Sequence, residues 1–239
     1  MDSSTTISVS AGDKVEFLGV NVRYSSNTIS STAQFNVYGN AMSLILGKNY
    51  RNPEATPSST SRLFYGLFSG CTTIISAKEL VLPLLTLELG AYAFMFTGCT
   101  NLLSAPELPA TEFTAGQNYM CMFDACTSLV EAPKTLPASV ANDYAYNNMF
   151  RGCTSLQKSP DILCTSLTGM YCLYGMFSGC TNLNYIKMMS LTSLSPNVSG
   201  DWVRGVAATG TFVKNAEATW TTTGNNGIPA GWTVETATE

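Results

Sequence analysis

The chain repeats one eight-residue pattern five times, as LFSGCTTI (67–74), MFTGCTNL (95–102), MFDACTSL (122–129), MFRGCTSL (149–156) and MFSGCTNL (176–183). The cysteines of these copies are separated by 28, 27, 27 and 27 residues. A sixth, degraded copy places Val206 26 residues after Cys180. A fixed period of this length is typical of a solenoid, in which each repeat forms one coil and buries its apolar face against the next coil.

A second stretch follows each block, as SAKELVLPLL (76–85), SAPELPATEF (104–113), EAPKTLPASV (131–140) and KSPDILCTSL (158–167). Residues 102–105 are too few for a helix and precede two prolines, which indicates one short strand per coil. Tyr119, Met122 and Phe123 have helix-like spacing and predict a short helix over 116–124. Strands stack about 4.8 Å apart and helices about 8–10 Å apart, so strands would line the concave side. The sequence therefore predicts an α/β repeat solenoid, a leucine-rich-repeat-like curved array of short parallel strands and short helices.

The repeats divide the chain into three regions. Residues 61–200 hold the five repeats, and 201–239 hold the degenerate sixth repeat and a C-terminal cap that four aromatic residues close: Trp202, Phe212, Trp220 and Trp232. Residues 1–60 predict a β-rich N-terminal cap, or alternatively the end of an upstream domain. Its signals are alternating apolar residues at Ile7, Val9, Val15, Phe17, Val20, Val22 and Tyr24, and a hairpin turn at Gly39-Asn40 between Phe35-x-Val37 and Met42-x-Leu44.

Composition narrows the function. The net charge is −4 and the 12 basic residues form no run, so we expect no nucleic-acid partner and no docking on an anionic membrane. The chain has no histidine, which removes the commonest general base and metal ligand. We expect no catalytic, cofactor-binding or metal-binding residues. The start MDSSTTISVS carries no signal peptide, and no apolar run is long enough to insert into a membrane, so a targeting segment of an exported protein would lie outside this chain.

The alternation of MFSGCTNL with APELPAT resembles the BspA-like leucine-rich repeat proteins on the surfaces of gut and oral bacteria. The resemblance covers about residues 60–235, including the ending GTFVKNAEATWTTTGNNGIPAGWTV. The family is extracellular and often lipid-anchored, and some members are linked to adhesion. The resemblance therefore implies a cell-surface or secreted protein whose partner is a protein or glycan on host or neighbouring cells. It places no binding residue and no oligomeric state.

The eight cysteines divide into two groups. Five occupy one repeat position and are expected to form a column of buried free thiols, because equivalent side chains of adjacent coils point the same way at spacings too long for a disulfide. A column of metal sites is the alternative, and it lacks the usual C-x-x-C pairing. Cys121, Cys164 and Cys172 lie outside that column. A disulfide between Cys164 and Cys172 stays open as the less favoured alternative.

The variable positions of the predicted strands are the candidate ligand-binding residues. The positions five residues after each repeat cysteine are Ser76, Ser104, Glu131, Lys158 and Tyr185, and those seven after it include Lys78 and Lys187. Variation at these positions fits a ligand-binding surface and fits equally an exposed surface without function. Tyr92, Tyr119 and Tyr146 are expected to pack in the interior. A non-catalytic binding or adhesion protein is thus the leading hypothesis, ahead of a passive spacer and a surface enzyme.

Overall fold

The computed structural model describes residues 7–19, 28–52 and 54–238 and shows a parallel β-solenoid of about six turns. The elements in chain order are β1 (Phe35–Asn40), α1 (Ser43–Leu46), a 3₁₀ helix (Gly47–Arg51), β2 (Ile74–Val81), β3 (Thr86–Leu87), β4 (Glu112–Phe113), β5 (Thr135–Leu136), β6 (Val140–Ala141), β7 (Lys158–Ile162), β8 (Ser166–Leu167), β9 (Tyr185–Met188), α2 (Pro196–Ser199), β10 (Thr211–Lys214) and β11 (Thr233–Thr236). The prediction of a repeat solenoid with short parallel strands is confirmed.

One side of the solenoid, the strand face, carries most of the sheet structure. Here β1 pairs with β2, and β5, β7, β9, β10 and β11 form a five-stranded sheet, with every pairing parallel. Isolated parallel bridges join Ser76 to Ser104 and Ser104 to Glu131. A second, shorter side holds the pairs β3–β4 and β6–β8. Equivalent residues of successive coils therefore lie side by side.

The third side, the turn face, consists of residues 61–70, 89–98, 118–125, 143–152, 170–179 and 201–205, which form successive turns. Alternate N–H groups donate to the next coil, as in Phe96 N to Met122 O (2.9 Å) and Phe123 N to Met149 O (2.8 Å). The intervening N–H groups donate three residues back, as in Met95 N to Tyr92 O (3.3 Å). The main chain of this side is thus hydrogen-bonded both within and between coils.

Left-handed residues recur at every fourth position of the turn face. In copy three they are Gln117, Cys121 and Ala125, with φ of 62°, 53° and 60°. The equivalent positions of the other coils form three columns: Arg62, Gly90, Tyr144 and Tyr171; Gly66, Phe94, Asn148, Gly175 and Asp201; Gly70, Gly98, Gly152, Gly179 and Gly205. Each left-handed residue interrupts helical winding, since L-residues cannot continue a helix through positive φ.

The predicted helix over 116–124 is therefore wrong, and with it the α/β detail of the predicted fold. Residues 118–125 form turns, and the two α-helices among the described residues, α1 and α2, have four residues each. Side chains four residues apart share a face in a helix and also in this chain of four-residue turns, so the spacing fits both. The curved array was expected because helices would pack about 8–10 Å apart on one side, farther apart than strands. Since main-chain hydrogen bonds join the coils on the turn face instead, that reason for curvature no longer applies.

Aromatic columns fill the interior. Stacked rings of Phe68, Phe96, Phe123, Phe150 and Phe177 have successive centroid distances of 5.3, 5.5, 5.3 and 5.6 Å. A parallel column of Phe64, Tyr92, Tyr119 and Tyr146 has distances of 5.7, 5.9 and 6.0 Å. Each pair contributes about 0.5–1.5 kcal/mol beyond the burial of its area. The three tyrosines are at most 1 % exposed, which confirms that they belong to the interior.

All eight cysteines are free and buried, so the prediction of a thiol column is confirmed and Cys164 and Cys172 are not paired. The thiols of Cys99, Cys126, Cys153 and Cys180 each donate to a phenylalanine carbonyl of the preceding coil at 2.9–3.1 Å. These sulfurs therefore add a ladder of weak hydrogen bonds to their apolar contacts.

The two ends of the solenoid close in different ways. The predicted hairpin at Gly39-Asn40 is wrong, because β1 runs through Asn40 and pairs in parallel with β2, and α1 follows. The Asn40 side chain accepts the N–H of Met42 at 2.9 Å and turns the chain toward α1, which buries Ile45.

Among the predicted N-terminal strand residues, Ile7 to Phe17 form no strand, and Val20, Val22 and Tyr24 lie outside the described residues. At the C-terminal end the four aromatic residues predicted to close the array are all buried: Trp202, Phe212, Trp220 and Trp232.

Candidate functional site

The strand face brings the predicted ligand-binding residues into two groups. Ser76, Ser104 and Glu131 occupy bridged positions in three successive coils. Lys158 and Tyr185 are register partners in β7 and β9. Lys78 lies in β2 and Lys187 in β9, two residues beyond the corresponding members of these groups. Between these two lysines the equivalent positions are buried prolines, at 106, 133 and 160.

Two lysines of the strand face are paired with carboxylates of other coils. Lys78 Nζ lies 2.9 Å from Glu131 Oε2, and Lys187 Nζ lies 2.9 Å from Asp161 Oδ2. The Lys158 ammonium lies 4.9 Å from the Tyr185 ring centroid. The hydrogen bond from Lys78 lowers the pKa of Glu131, and the same contact raises the pKa of Lys78. A ligand that used these groups would have to displace their present partners.

The turn face carries a cluster of partly exposed aromatic and thioether side chains. The rings of Tyr144 and Tyr171 lie 5.5 Å apart and are inclined by 38°. Tyr171 meets Tyr174 edge-on at 5.6 Å. Met170 is 55 % exposed. These four residues, the tyrosine cluster, lie on two neighbouring coils.

An open cleft of about 290 Å³ runs across three successive coils. It is lined by Ala115, Gly116, Asn142, Asp143, Thr168 and Gly169. Three of these residues lie within two positions of Tyr144 or Tyr171 in the chain.

Two glycines set the shape of the cleft. A Cβ at Gly116 would lie 2.3 Å from Asp143 O, and one at Gly169 would lie 2.0 Å from Asn142 C. Glycine at these two positions therefore lets three coils approach closely along the cleft.

Asp143 supplies the charge of the cleft. Its Oδ1 accepts the N–H of Met170 at 2.7 Å, which fixes the carboxylate beside the tyrosine cluster. Among the ion pairs of residues 7–19, 28–52 and 54–238, none involves Asp143. Arg151, on the same coil, is bound to Asp124 through two hydrogen bonds of 2.6 and 2.9 Å. The cleft therefore presents a fixed negative charge that no described side chain neutralises.

The thiols and the column tyrosines lie in the interior. Burial raises the pKa of the Cys121 thiol to about 11 and that of Cys99 to about 12. Burial likewise raises the pKa of Tyr119 well above its usual value. Such thiols are almost entirely protonated at neutral pH and react slowly. Within the described part of the chain no three His, Cys, Asp or Glu side chains come together as a metal site would require.

Sequence reasoning missed the tyrosine cluster because it sought variable positions only on the predicted strands. The column nine residues before each repeat cysteine reads Arg62, Gly90, Gln117, Tyr144 and Tyr171, so it varies as much as the strand positions do. That variation was a usable signal of surface exposure. The Asp143 contact with Met170 links residues 27 positions apart, and no local pattern predicts it.

No family model matches the chain, and neither the curated proteins nor the solved structures include a match to it. None of the helices in the described residues has the length and apolar character needed to cross a membrane.

Proposed function

We propose that this chain is a non-catalytic binding protein, a cell-surface or secreted member of the BspA-like leucine-rich repeat proteins that attaches to a protein of the host matrix or of neighbouring cells. The observation that carries the proposal is the division between interior and surface. Stacked Phe, Tyr, Met and Cys columns stabilise the coils, while the residues that vary between copies lie on the strand face and around the cleft. Binding repeat proteins use extended surfaces of this kind.

The thiols are compatible with an extracellular location. A free cysteine that reaches solvent as a thiolate is readily oxidised, whereas a buried, protonated thiol is protected. All eight thiols are buried, and desolvation raises the pKa of Cys126 and Cys153 well above the usual thiol value. The chain can thus hold eight reduced cysteines in an oxidising compartment without forming disulfides.

The passive spacer is the second candidate, and the strand face favours it. Two of the candidate binding lysines there already have partners within the chain, as in Lys78–Glu131 and Lys187–Asp161, and are less available to a ligand. A spacer would bind no ligand on the turn face either.

A binding assay separates the two functions. The purified chain would be immobilised and exposed to a panel of matrix proteins, cell-surface glycans and intact epithelial cells, and retention would be measured at physiological ionic strength. The binding function predicts saturable retention of at least one member of the panel. Retention of none, by a chain whose thermal unfolding shows it to be folded, would leave the spacer.

A further inference from the structure

The last strand of the solenoid, β11, has an open edge. It is the terminal strand of the five-stranded sheet and pairs in parallel with β10 alone among the described residues. The N–H of Thr233 donates to Gly210 O at 2.9 Å, so the main-chain groups of Thr233 face β10. Because these groups alternate in direction along a strand, those of Val234 and Thr236 face away from β10. The edge therefore offers donors and acceptors to one further parallel strand.

The side chain of Val234 has an interior position without interior cover. Val234 is the register partner of Phe212, which in turn pairs with Ile186. Phe212 and Ile186 have no exposure, whereas Val234 is 46 % exposed. Terminal repeats of a solenoid need a polar outer face for solubility. This end instead presents the last member of an apolar column, which a further coil would cover.

The opposite end of the strand face carries a strand of matching direction and register. β1 pairs in parallel with β2, and no strand of the described residues lies on its other side. Asn36 pairs with Ser76, which lies five residues after the first repeat cysteine. Thr233 pairs with Thr211, which has the same repeat position in the sixth copy. Asn36 and Thr233 are therefore equivalent positions at the two ends of one sheet side.

We propose that β11 binds the β1 edge of a second copy of this chain, so that chains join end to end through a continued parallel sheet. In the equivalent register Val234 lies beside Val37 of the second copy, which is half-buried against the core. Glu235 lies beside Tyr38 of the second copy, and the Lys14 ammonium is 5.9 Å from that ring centroid. Opposite charges thus meet across the joint, because neighbouring strands are only about 4.8 Å apart.

The contact uses different surfaces on the two copies, so its repetition gives open filaments and no closed dimer. Sedimentation of the full chain over a wide range of concentration tests this at physiological ionic strength. The average mass is expected to rise with concentration past that of a dimer.

A matched pair of variants tests the edge itself. A lysine at position 234 is exposed in the single chain and buried in the joint, so Val234→Lys should lower the association constant about ten-fold or more. Val140→Lys makes the same change at an exposed valine of β6, away from both ends, and should leave association unchanged. Thermal unfolding shows whether each variant is folded.

A charge exchange identifies the two strands that meet. Glu235→Lys and Lys14→Glu should each weaken association about five-fold, as the loss of an exposed ion pair requires. The double variant should restore association, because it exchanges the two charges across the joint.

Three outcomes would overturn the inference: the mass of one chain at every concentration, association that Val234→Lys leaves unchanged, or a double variant that associates no better than the single ones. A mass that stops at a dimer would also overturn it and would assign the β11 edge to a symmetric contact, such as β11 against β11. The ligand panel tests the binding function separately, since end-to-end joining leaves the strand and turn faces free.

Discussion

The strand face and the turn face both link neighbouring coils by main-chain hydrogen bonds, but their backbone conformations differ. Both join neighbouring coils through main-chain hydrogen bonds at every second residue, as in Phe212 beside Ile186 on the strand face and Phe123 N to Met149 O on the turn face. The strand face uses extended residues. The turn face uses tight turns with a left-handed residue at every fourth position. An inter-coil ladder therefore requires only that equivalent groups repeat along the array.

The two faces also differ in their surfaces. On the strand face Lys78 and Lys187 are paired across coils with Glu131 and Asp161, whereas Asp143, at the edge of the turn face, lines an open cleft and has no ion pair among the described residues. The cleft lies where the shorter sheet side passes into the turn face, and there Gly116 and Gly169 lie against the backbone of Asn142 and Asp143.

Among the variants that test this comparison, the largest loss of stability is expected from Phe123→Ala, in the middle of the turn-face aromatic column. Phe123 is fully buried and stacks on Phe96 and Phe150. We expect the free energy of unfolding to fall by about 3–5 kcal/mol in urea denaturation. Ile162→Ala, at a fully buried position of β7, should cost about 2–5 kcal/mol. A loss below about 1 kcal/mol for Phe123→Ala would mean that the turn face is a loosely attached surface.

Removal of one thiol is expected to have the next largest effect. Cys126 Sγ donates to Phe96 O at 3.1 Å from a fully buried position. Cys126→Ala should lower the free energy of unfolding by about 1–2 kcal/mol, since it removes the hydrogen bond and leaves a small cavity. The control is Cys71→Ala at the end of the column, whose thiol contacts Thr73 Oγ1 at 3.5 Å instead and should lose less. Equal losses would show that the thiol ladder contributes nothing beyond burial.

A third variant tests the backbone of the turn face directly. Gly152 has φ of 71°, and an added Cβ would meet Ala125 Cα at an ordinary 3.8 Å. Gly152→Ala should therefore destabilise the chain by about 1–2 kcal/mol through the left-handed backbone alone. In a helix the same change would stabilise by about 1 kcal/mol.

The reverse change is its matched partner. Ala125→Gly, in the same column at φ of 60°, should be neutral or slightly stabilising. Chemical denaturation of both variants gives the sign of the change in the free energy of unfolding. If Gly152→Ala proved stabilising, this segment would be helical and would not consist of turns.

The smallest effect is expected from the strand face. Lys78→Ala removes an exposed ion pair with Glu131 and should leave the unfolding midpoint at pH 7 nearly unchanged. Because Lys78 lowers the pKa of Glu131 in the folded state, the pair stabilises above the usual carboxyl range and ceases to do so as pH falls through that lowered pKa. NMR titration should show the pKa of Glu131 rising in the variant. No change in that pKa would mean that the pair does not form in solution.

Much of the interior could be predicted from the sequence. Positions that stay Met, Phe, Cys and Leu in successive copies must occupy one buried environment, and the structure places Met122, Phe123, Cys126 and Leu129 there with no exposure. The surface was less predictable. Lys78 and Glu131 are 53 residues apart and belong to different copies and different positions of the repeat, so only the stacked coils bring them to 2.9 Å.

The sequence by itself determined the period of the array, the residues of its interior columns and the free state of the repeat cysteines, because these follow from repetition and side-chain chemistry. Only the tertiary structure decided that residues 118–125 form turns and that Asp143 lies exposed in an open cleft. The physical reason is the origin of the hydrogen bonds. A helix would satisfy its N–H groups within four residues, whereas here every second N–H of the turn face finds its acceptor one coil away.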